Sequence, residues 1–307
     1  MKDFGPIFRA LMHNKLGALL IALQIALTLT IVTNAAFIIQ QRSDHIDRPT
    51  GVDEANTVAF FTAVYDQQLD QRQLIRDDLE ALRAVPGVIA ATSTHSLPAS
   101  GSGWGEDIYN DPELPSNEAI SFGKFMVDEQ GLETFDLELV AGRNIRPDEI
   151  VTRSMTEINT PGVFLVSQAL ADELFPDGDA LGQTVWDEPN GKSPMRIVGI
   201  YDEMQNAWPT STSVERTALM PEIMLFGYPL YVVRAEPGRL NDVIKAAEEQ
   251  LSGTRGRLID QVRTFEESKR RTYSGDIAMV KLLAAVIITL GGVTGLGIVG
   301  LAWFSVT

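Results

Sequence analysis

"LGALLIALQIALTLTIVTNAAFII", residues 16–39, contains no charged side chain. A second uncharged run, "LLAAVIITLGGVTGLGIVGLAWF", occupies residues 282–304. At ~1.5 Å per residue in a helix, each run is long enough for the roughly 30 Å core of a bilayer. The first run also exceeds the roughly 7–15 apolar residues of a cleaved signal peptide. The sequence therefore predicts two transmembrane helices, which we assign to residues 16–40 and 277–307.

The charges around the first run predict its orientation. Lys2, Arg9 and Lys15 precede it, with only Asp3 against them. Because basic residues favour the cytoplasmic side, we expect a cytoplasmic N-terminus and residues 41–276 outside the membrane. Apolar residues at helical spacing in the first fifteen positions favour an interfacial amphipathic helix over 1–15, although a solvated tail fits the same residues.

The overall composition excludes several classes of function. The formal net charge is −16, so the chain lacks the basic surface that nucleic acids require. There is no cysteine, which excludes disulfides and thiol chemistry. The three histidines are scattered and offer no zinc-binding pair.

The outer segment contains two β-α-β patterns of nearly equal length. Their predicted strands and helices are 56–63, 70–84 and 86–93 in the first, where the last segment begins with a turn, and 228–235, 238–252 and 257–264 in the second. Two split β-α-β units can share one sheet that has both helices on one face. We therefore predict a membrane-proximal subdomain built from residues 41–97 and 225–263.

Residues 98–224 form an insertion between these two units. Its predicted strands are 119–127, 162–167, 183–187 and 194–202, and a helix over 167–175 is capped by Ser167. This pattern predicts a strand-rich subdomain. The fold class that we expect is two transmembrane helices flanking an α+β domain.

Residues 264–276, "TFEESKRRTYSGD", are predicted to form a stalk helix that continues into the second transmembrane helix. Phe265, Arg270 and Tyr273 lie on this segment, and Gly275 is its weakest helix former. A continuous stalk would couple movement of the outer domain to the membrane.

Small and polar residues form a stripe on each transmembrane helix. They are Gly17, Gln24, Thr28 and Ala35 on the first, and Ala284, Gly291, Gly295 and Ala302 on the second. Small residues let helix backbones approach closely, and Gln24 and Thr28 can hydrogen-bond across such a contact. Either the two helices pack on each other through these stripes, or one stripe meets a partner helix.

The sequence shows no catalytic or cofactor motif. No G-x-S-x-G sequence occurs, and "NGKS" at 190–193 lacks the leading glycine of a phosphate loop, since position 186 is tryptophan. "PDGDALG", at 176–182, has too few ligands for a calcium loop and favours a polar turn. We therefore expect no enzymatic activity, no cofactor and no metal, and any energy must come from a partner.

Several segments in their order resemble a known family. These are "VPGVIAATS", "FMVDEQGLETFDLELVAGRNI", "VFLVSQALADELFPDGDALGQTV" and "MRIVGIYDE", followed by the second apolar run. Together they resemble the MacB-like periplasmic core domain of the FtsX-like ABC transporter permeases. The resemblance implies a permease subunit in a bacterial inner membrane, with residues 41–276 in the periplasm.

The resemblance also implies partners and a mechanism. It implies a second permease copy, cytoplasmic ABC ATPase subunits and a possible periplasmic adaptor or substrate protein. In such transporters, ATP hydrolysis moves the periplasmic domains by mechanotransmission. The loop that contains Ser100, Gly101 and Trp104, and the surface of the insertion, are the partner-contact regions that we expect.

The C-terminus departs from the family pattern. Family permeases continue with a basic cytoplasmic segment and two further membrane helices, whereas nothing follows Thr307 here. We therefore expect the N-terminal part of a truncated permease. The alternative is a membrane-tethered sensor or interaction module with an outer ligand-binding domain.

Overall fold

A computed structural model describes residues 15–157, 159–188 and 192–304. The chain forms two compact units, one comprising residues 49–272 and the other the segments on either side of them. The interfacial helix predicted over residues 1–15 lies outside the described residues, except for Lys15.

Twelve strands and seven α-helices are present in the described part of the chain. The strands are β1 Thr57–Val64, β2 Val88–Thr94, β3 Trp104–Ile108, β4 Ile120–Val127, β5 Leu139–Gly142, β6 Val151–Ser154, β7 Val163–Ser167, β8 Thr184–Glu188, β9 Lys192–Tyr201, β10 Thr217–Leu225, β11 Leu230–Ala235 and β12 Arg257–Thr264. The helices are α1 Lys15–Ile46, α2 Gln71–Arg83, α3 Gly131–Phe135, α4 Gln168–Leu174, α5 Leu240–Ser252, α6 Phe265–Thr272 and α7 Ser274–Phe304.

The helical unit consists of α1 and α7. Both helices are long and apolar enough to cross a membrane. The positions on α7 that are only partly exposed include a series with alternating spacings of four and three. They are Asp276, Val280, Leu283, Ile287, Leu290, Thr294 and Gly297. This spacing averages 3.5 residues and is typical of two helices that coil around each other.

A four-stranded sheet in the unit 49–272 combines the two predicted β-α-β patterns. Its strand order is β12-β1-β11-β2, and all neighbouring strands are antiparallel. The two strands of each pattern are therefore separated by a strand of the other. This confirms the predicted split units, and α2 begins where predicted, since Asp70 Oδ1 accepts a hydrogen bond from the Arg72 amide at 3.0 Å.

Alternating residues of β1 serve two different cores. Val58 and Phe60 pack with residues of both α2 and α5, so the two helices cover one face of the small sheet, as predicted. Ala59, on the opposite face, belongs to a core that contains Phe125 of β4. Burial on both faces anchors the small sheet within the unit.

The second sheet has eight strands, all lying between Trp104 and Leu225. Its order is β3-β4-β10-β7-β9-β5, with β6 paired to β10 and β8 paired to β9. Ser167 caps α4, as predicted, by accepting a hydrogen bond from the Leu170 amide at 3.3 Å. The predicted strands correspond to β4, β7, β8 and β9, whereas β3, β5, β6 and β10 were not predicted. The boundaries of a separate subdomain over 98–224 stay a prediction.

Proline marks the point at which β10 changes partner. Residues 217–221 of β10 pair in parallel with β4, and residues 222–225 pair in parallel with β6. Pro221 is the last residue of β10 that pairs with β4. Because proline has no amide hydrogen to donate, it suits a position where one ladder ends and another begins.

The predicted continuous stalk helix is wrong. The helix α6 ends at Thr272 and α7 begins at Ser274, so the break falls at Tyr273 and not at Gly275. Thr272 Oγ1 donates to the Ser268 carbonyl at 3.2 Å, a local hydrogen bond that tends to bend helices. The Ile277 amide donates to the Tyr273 carbonyl at 2.9 Å, which starts the next helix.

Candidate functional site

Three contacts show that α1 and α7 pack in opposite directions. Thr28 Oγ1 and Thr294 Oγ1 share a hydrogen bond of 2.8 Å. A Cβ atom placed on Gly297 would lie 2.8 Å from Gln24 Nε2, so the end of the glutamine side chain lies directly against this glycine. At the other end, Arg42 Nη1 lies 2.7 Å from Asp276 Oδ1.

These contacts support part of the predicted helix contact. Gln24 and Thr28 face α7, and Ala35 is 3% exposed. Gly17 and Ala284 are half-buried. The side chain of Ala302 lies outside the described part of the chain.

The prediction that Gly291 and Gly295 line the contact between the two helices is wrong. A Cβ atom on either glycine would meet no described atom within 4 Å. The residues that meet α1 are Thr294 and Gly297, which lie on a neighbouring face of α7. A helical-wheel projection of one helix identifies stripes of small residues, but it does not show which stripe faces the neighbouring helix. The alternative, a partner helix against Gly291 and Gly295, stays a prediction.

A cleft of about 410 Å³ lies within the unit 49–272, next to α6. It is lined by Phe61, His95, Ser96, Leu97, Ser100, Ser102, Leu230, Arg263, Ser268, Arg271 and Thr272. The cleft thus combines an apolar floor with two arginines and several hydroxyl groups. It includes Ser100, which is one of the predicted partner-contact residues, and the C-terminal half of α6.

Backbone hydrogen bonds hold the loop that forms one wall of the cleft. The Ala99 and Gly101 amides donate to the carbonyls of Asn206 and Ala207, at 2.9 and 2.7 Å. Gly101 has a φ of +80°, which favours glycine, and a Cβ atom there would lie 3.4 Å from Thr272 Cγ2. The loop is therefore fixed beside α6.

His95 is the most strongly perturbed group of the cleft. Its ring makes an edge contact with Trp104, with 6.2 Å between centroids. Burial, assisted by the charge of Lys124, lowers the pKa of His95 from 6.5 to about 4. The imidazole is therefore neutral at pH 7. His95 Nε2 lies 3.2 Å from Ser96 Oγ, and its Nδ1 is buried without a hydrogen-bond partner among the described residues.

Two arginines give the cleft its positive charge. The Arg263 guanidinium lies over the Phe61 ring, 5.0 Å from its centroid. Partial burial and the nearby Arg271 charge lower the pKa of Arg263. Across the described residues, neither arginine has a carboxylate within ion-pair distance. Asp260 and Glu267 act on Arg263 only from farther away.

The family comparison covers most of the chain. Residues 17–252 match the model of the MacB-like periplasmic core domain. The chain belongs to this family. The expected family is thereby confirmed.

Three known proteins illustrate the relationship of this MacB-like chain to others. The uncharacterized ABC transporter permease YvrN of Bacillus subtilis is 31% identical over 77 residues, which are 25% of this chain and 16% of that relative. The periplasmic region of MacB from Actinobacillus actinomycetemcomitans is 14% identical, with a TM-score of 0.43, over 74% of this chain and 97% of that one. The extracellular domain of the noncanonic ABC-type transporter YknZ from Gram-positive bacteria is 13% identical, with a TM-score of 0.40, over 66% and 100%.

A second charged group of the MacB-like domain lies inside the large sheet. Lys124 is 2% exposed, and its Nζ lies 2.9 Å from Glu106 Oε1 and 3.2 Å from Glu222 Oε2. Arg153 Nε lies 2.5 Å from Glu222 Oε1. These charges compensate one another across neighbouring strands, so that removing one partner would leave another charge buried and unpaired. No group of acidic residues and histidines in the described ranges could hold a metal ion.

The predicted stalk residues belong to different surroundings. Phe265 is 1% exposed and packs in the core that contains Phe125. Lys269 Nζ lies 2.7 Å from Glu54 Oε1, which ties α6 to the start of the domain. Arg270 is exposed, and a Cβ atom on Gly275 would meet no described atom within 4 Å.

Sequence reasoning missed His95, Arg263 and Ser268 as residues of the cleft, although the run "KRRT" of α6 indicated local positive charge.

Proposed function

We propose that the chain is the permease subunit, or the N-terminal part of one, of a mechanotransmission ABC transporter. The observation that carries the proposal is the antiparallel pair of apolar helices on either side of a MacB-like domain. Such a pair enters and leaves the membrane once and leaves the whole unit 49–272 on one side. Export or release of a periplasmic substrate is the process that it would serve.

The proposed location is a bacterial inner membrane, with the N-terminus in the cytoplasm and residues 41–276 in the periplasm. The basic residues before the first helix support this orientation. The strongly negative net charge keeps an outer domain soluble and away from anionic lipid headgroups.

The proposed energy source is a cytoplasmic ABC ATPase, acting on a dimer of permease subunits. Residues 1–307 contain no phosphate loop, and the proposal assigns hydrolysis to a separate ATPase subunit. Movement would reach the periplasmic domain through α7 and α6. Phe265 and the Lys269–Glu54 pair fix α6 to the unit 49–272, so that this helix moves with the domain.

The test is co-expression with a cytoplasmic ABC ATPase from the same genome. We expect the two proteins to purify together in detergent and the ATPase rate to rise when the MacB-like chain is present. Purification with a cytoplasmic kinase or cyclase, and no association with an ATPase, would instead support the sensor alternative.

A further inference from the structure

The cleft beside α6 contains polar groups that no described residue satisfies. Ser268 is 6% exposed, and its Oγ has no hydrogen-bond partner. His95 Nδ1 is buried and equally unpartnered. A buried polar atom without a partner destabilises the fold, so two of them on the same cleft indicate that something else binds there.

The charge of the cleft indicates an anion. Arg263 and Arg271 both line it, and no described carboxylate lies within ion-pair distance of either. Each guanidinium lowers the cost of an anion between them, and a bound anion would relieve their mutual repulsion. Of the three arginines that line another cleft of the domain, two are paired, Arg72 with Glu157 and Arg83 with Asp128.

The remaining lining residues indicate an apolar body next to that anion. Phe61, Leu97 and Leu230 contribute hydrocarbon surface to the same cleft. A volume of about 410 Å³ is within the range of small-molecule sites and exceeds what a single inorganic ion fills.

We propose that this cleft binds a small organic oxyanion, a carboxylate or a phosphate on an apolar body, with the oxyanion between Arg263 and Arg271. Ser268 Oγ donates a hydrogen bond to it. His95 Nδ1 donates a second one, while Nε2 accepts from Ser96 Oγ. The apolar body lies against Phe61, Leu97 and Leu230. The proposal does not depend on transport activity or on a partner ATPase.

The absence of cysteine allows a single reporter to be placed at the rim of the cleft. In the full chain, held in nanodiscs of zwitterionic lipid, Ser102→Cys can carry a trifluoromethyl tag that is read by fluorine NMR. The probes are hexanoate, hexyl phosphate, hexanol and inorganic phosphate. We expect hexanoate or hexyl phosphate to shift the signal with saturation, at concentrations at least about 10-fold below those at which hexanol or inorganic phosphate acts. The tighter of the two identifies the head group.

Matched variants separate specific binding from general charge. Arg271→Gln should weaken binding of the preferred probe at least about 10-fold. Arg270→Gln, which removes the same charge from the same helix but does not line the cleft, should change it less than 2-fold. Arg263→Gln should also weaken binding of the preferred probe, whereas Arg263→Lys, which keeps the charge, should retain part of the binding. The unfolding temperature of each variant shows whether a loss of binding reflects misfolding. Equal effects of Arg270→Gln and Arg271→Gln, or equal binding of hexanol and hexanoate, would overturn the proposal.

Discussion

The Arg42 guanidinium lies 2.7 Å from the Asp276 carboxylate, at the end of the helix pair where α1 ends and α7 begins. The side chain of Arg42 is 38% exposed and that of Asp276 17%, so water only partly screens the pair. Asp276 also lies in the first turn of α7, where a negative charge interacts favourably with the helix dipole. This ion pair therefore contributes to the register of the two helices, together with the Thr28–Thr294 hydrogen bond.

Exchanging these two charges tests the register. Arg42→Asp and Asp276→Arg should each lower the unfolding temperature of the chain in detergent, because each places two like charges together. The double exchange should recover part of the loss, with a coupling of about 0.2–1 kcal/mol for a partly exposed pair. If the decreases in unfolding temperature of the two single variants simply add in the double variant, Arg42 and Asp276 are not in contact.

Cysteine crosslinking tests which face of α7 meets α1. Gln24→Cys with Gly297→Cys should form a disulfide on oxidation, because these positions are in contact. Gln24→Cys with Gly291→Cys is the matched control and should crosslink poorly within one chain, since Gly291 faces open space. Mobility on non-reducing gels measures both. Preferential crosslinking of the control pair would instead support the sequence-based prediction that Gly291 faces α1.

His95 should make the stability of the unit 49–272 depend on pH. Its pKa is 6.5 when unfolded and about 4 when folded, so the unfolded state binds the extra proton between these values. The stabilisation is therefore complete above about pH 6.5 and is lost as the pH falls towards 4, a change of about 3 kcal/mol. Urea unfolding followed by tryptophan fluorescence measures it. His95→Gln should flatten the profile in this range, and an unchanged profile would contradict the assignment.

A buried ionic network should dominate the stability of the small sheet. The Tyr231 hydroxyl donates to Asp78 Oδ2 at 2.5 Å, and Arg257 bonds the same carboxylate. Asp78→Asn leaves the buried Arg257 charge unpaired and should cost about 3–5 kcal/mol. Tyr231→Phe leaves the ion pair intact and should cost about 1.5–3 kcal/mol. Urea unfolding measures the loss of unfolding free energy in both variants. A larger loss in Tyr231→Phe than in Asp78→Asn would contradict the predicted network.

The elements that could be predicted from the sequence have regular periodicity. Strand β1 alternates between two cores, and α2 shows both an apolar face and a cap, Asp70. Strand β10 was missed because it is buried nearly throughout and contains Pro221, so it neither alternates nor avoids a strand breaker. Short strands such as β5 and β6 are defined by their neighbours and not by their own residues.

The candidate sites were less predictable than the fold. Gln24 and Thr28 were identifiable because a polar side chain in an apolar helix needs a partner. The cleft was not predictable, because it brings His95 together with Arg263 and Ser268, which lie more than 160 residues later in the chain. Only tertiary structure shows that Arg263 and Arg271 line the same cleft and that no described carboxylate lies within ion-pair distance of either.

We propose that ATP hydrolysis by a partner subunit moves the MacB-like domain. The chain has no cysteine, so Glu113→Cys provides a unique, exposed site for a spin label. Pulsed electron resonance on the complex of two labelled chains with the partner ATPase measures the distance between the labels. We expect the distribution of distances between the two labels to shift between the nucleotide-free and ATP-bound states. After hydrolysis it should return to that of the nucleotide-free state. Identical distributions in all states, in a complex that hydrolyses ATP, would contradict it.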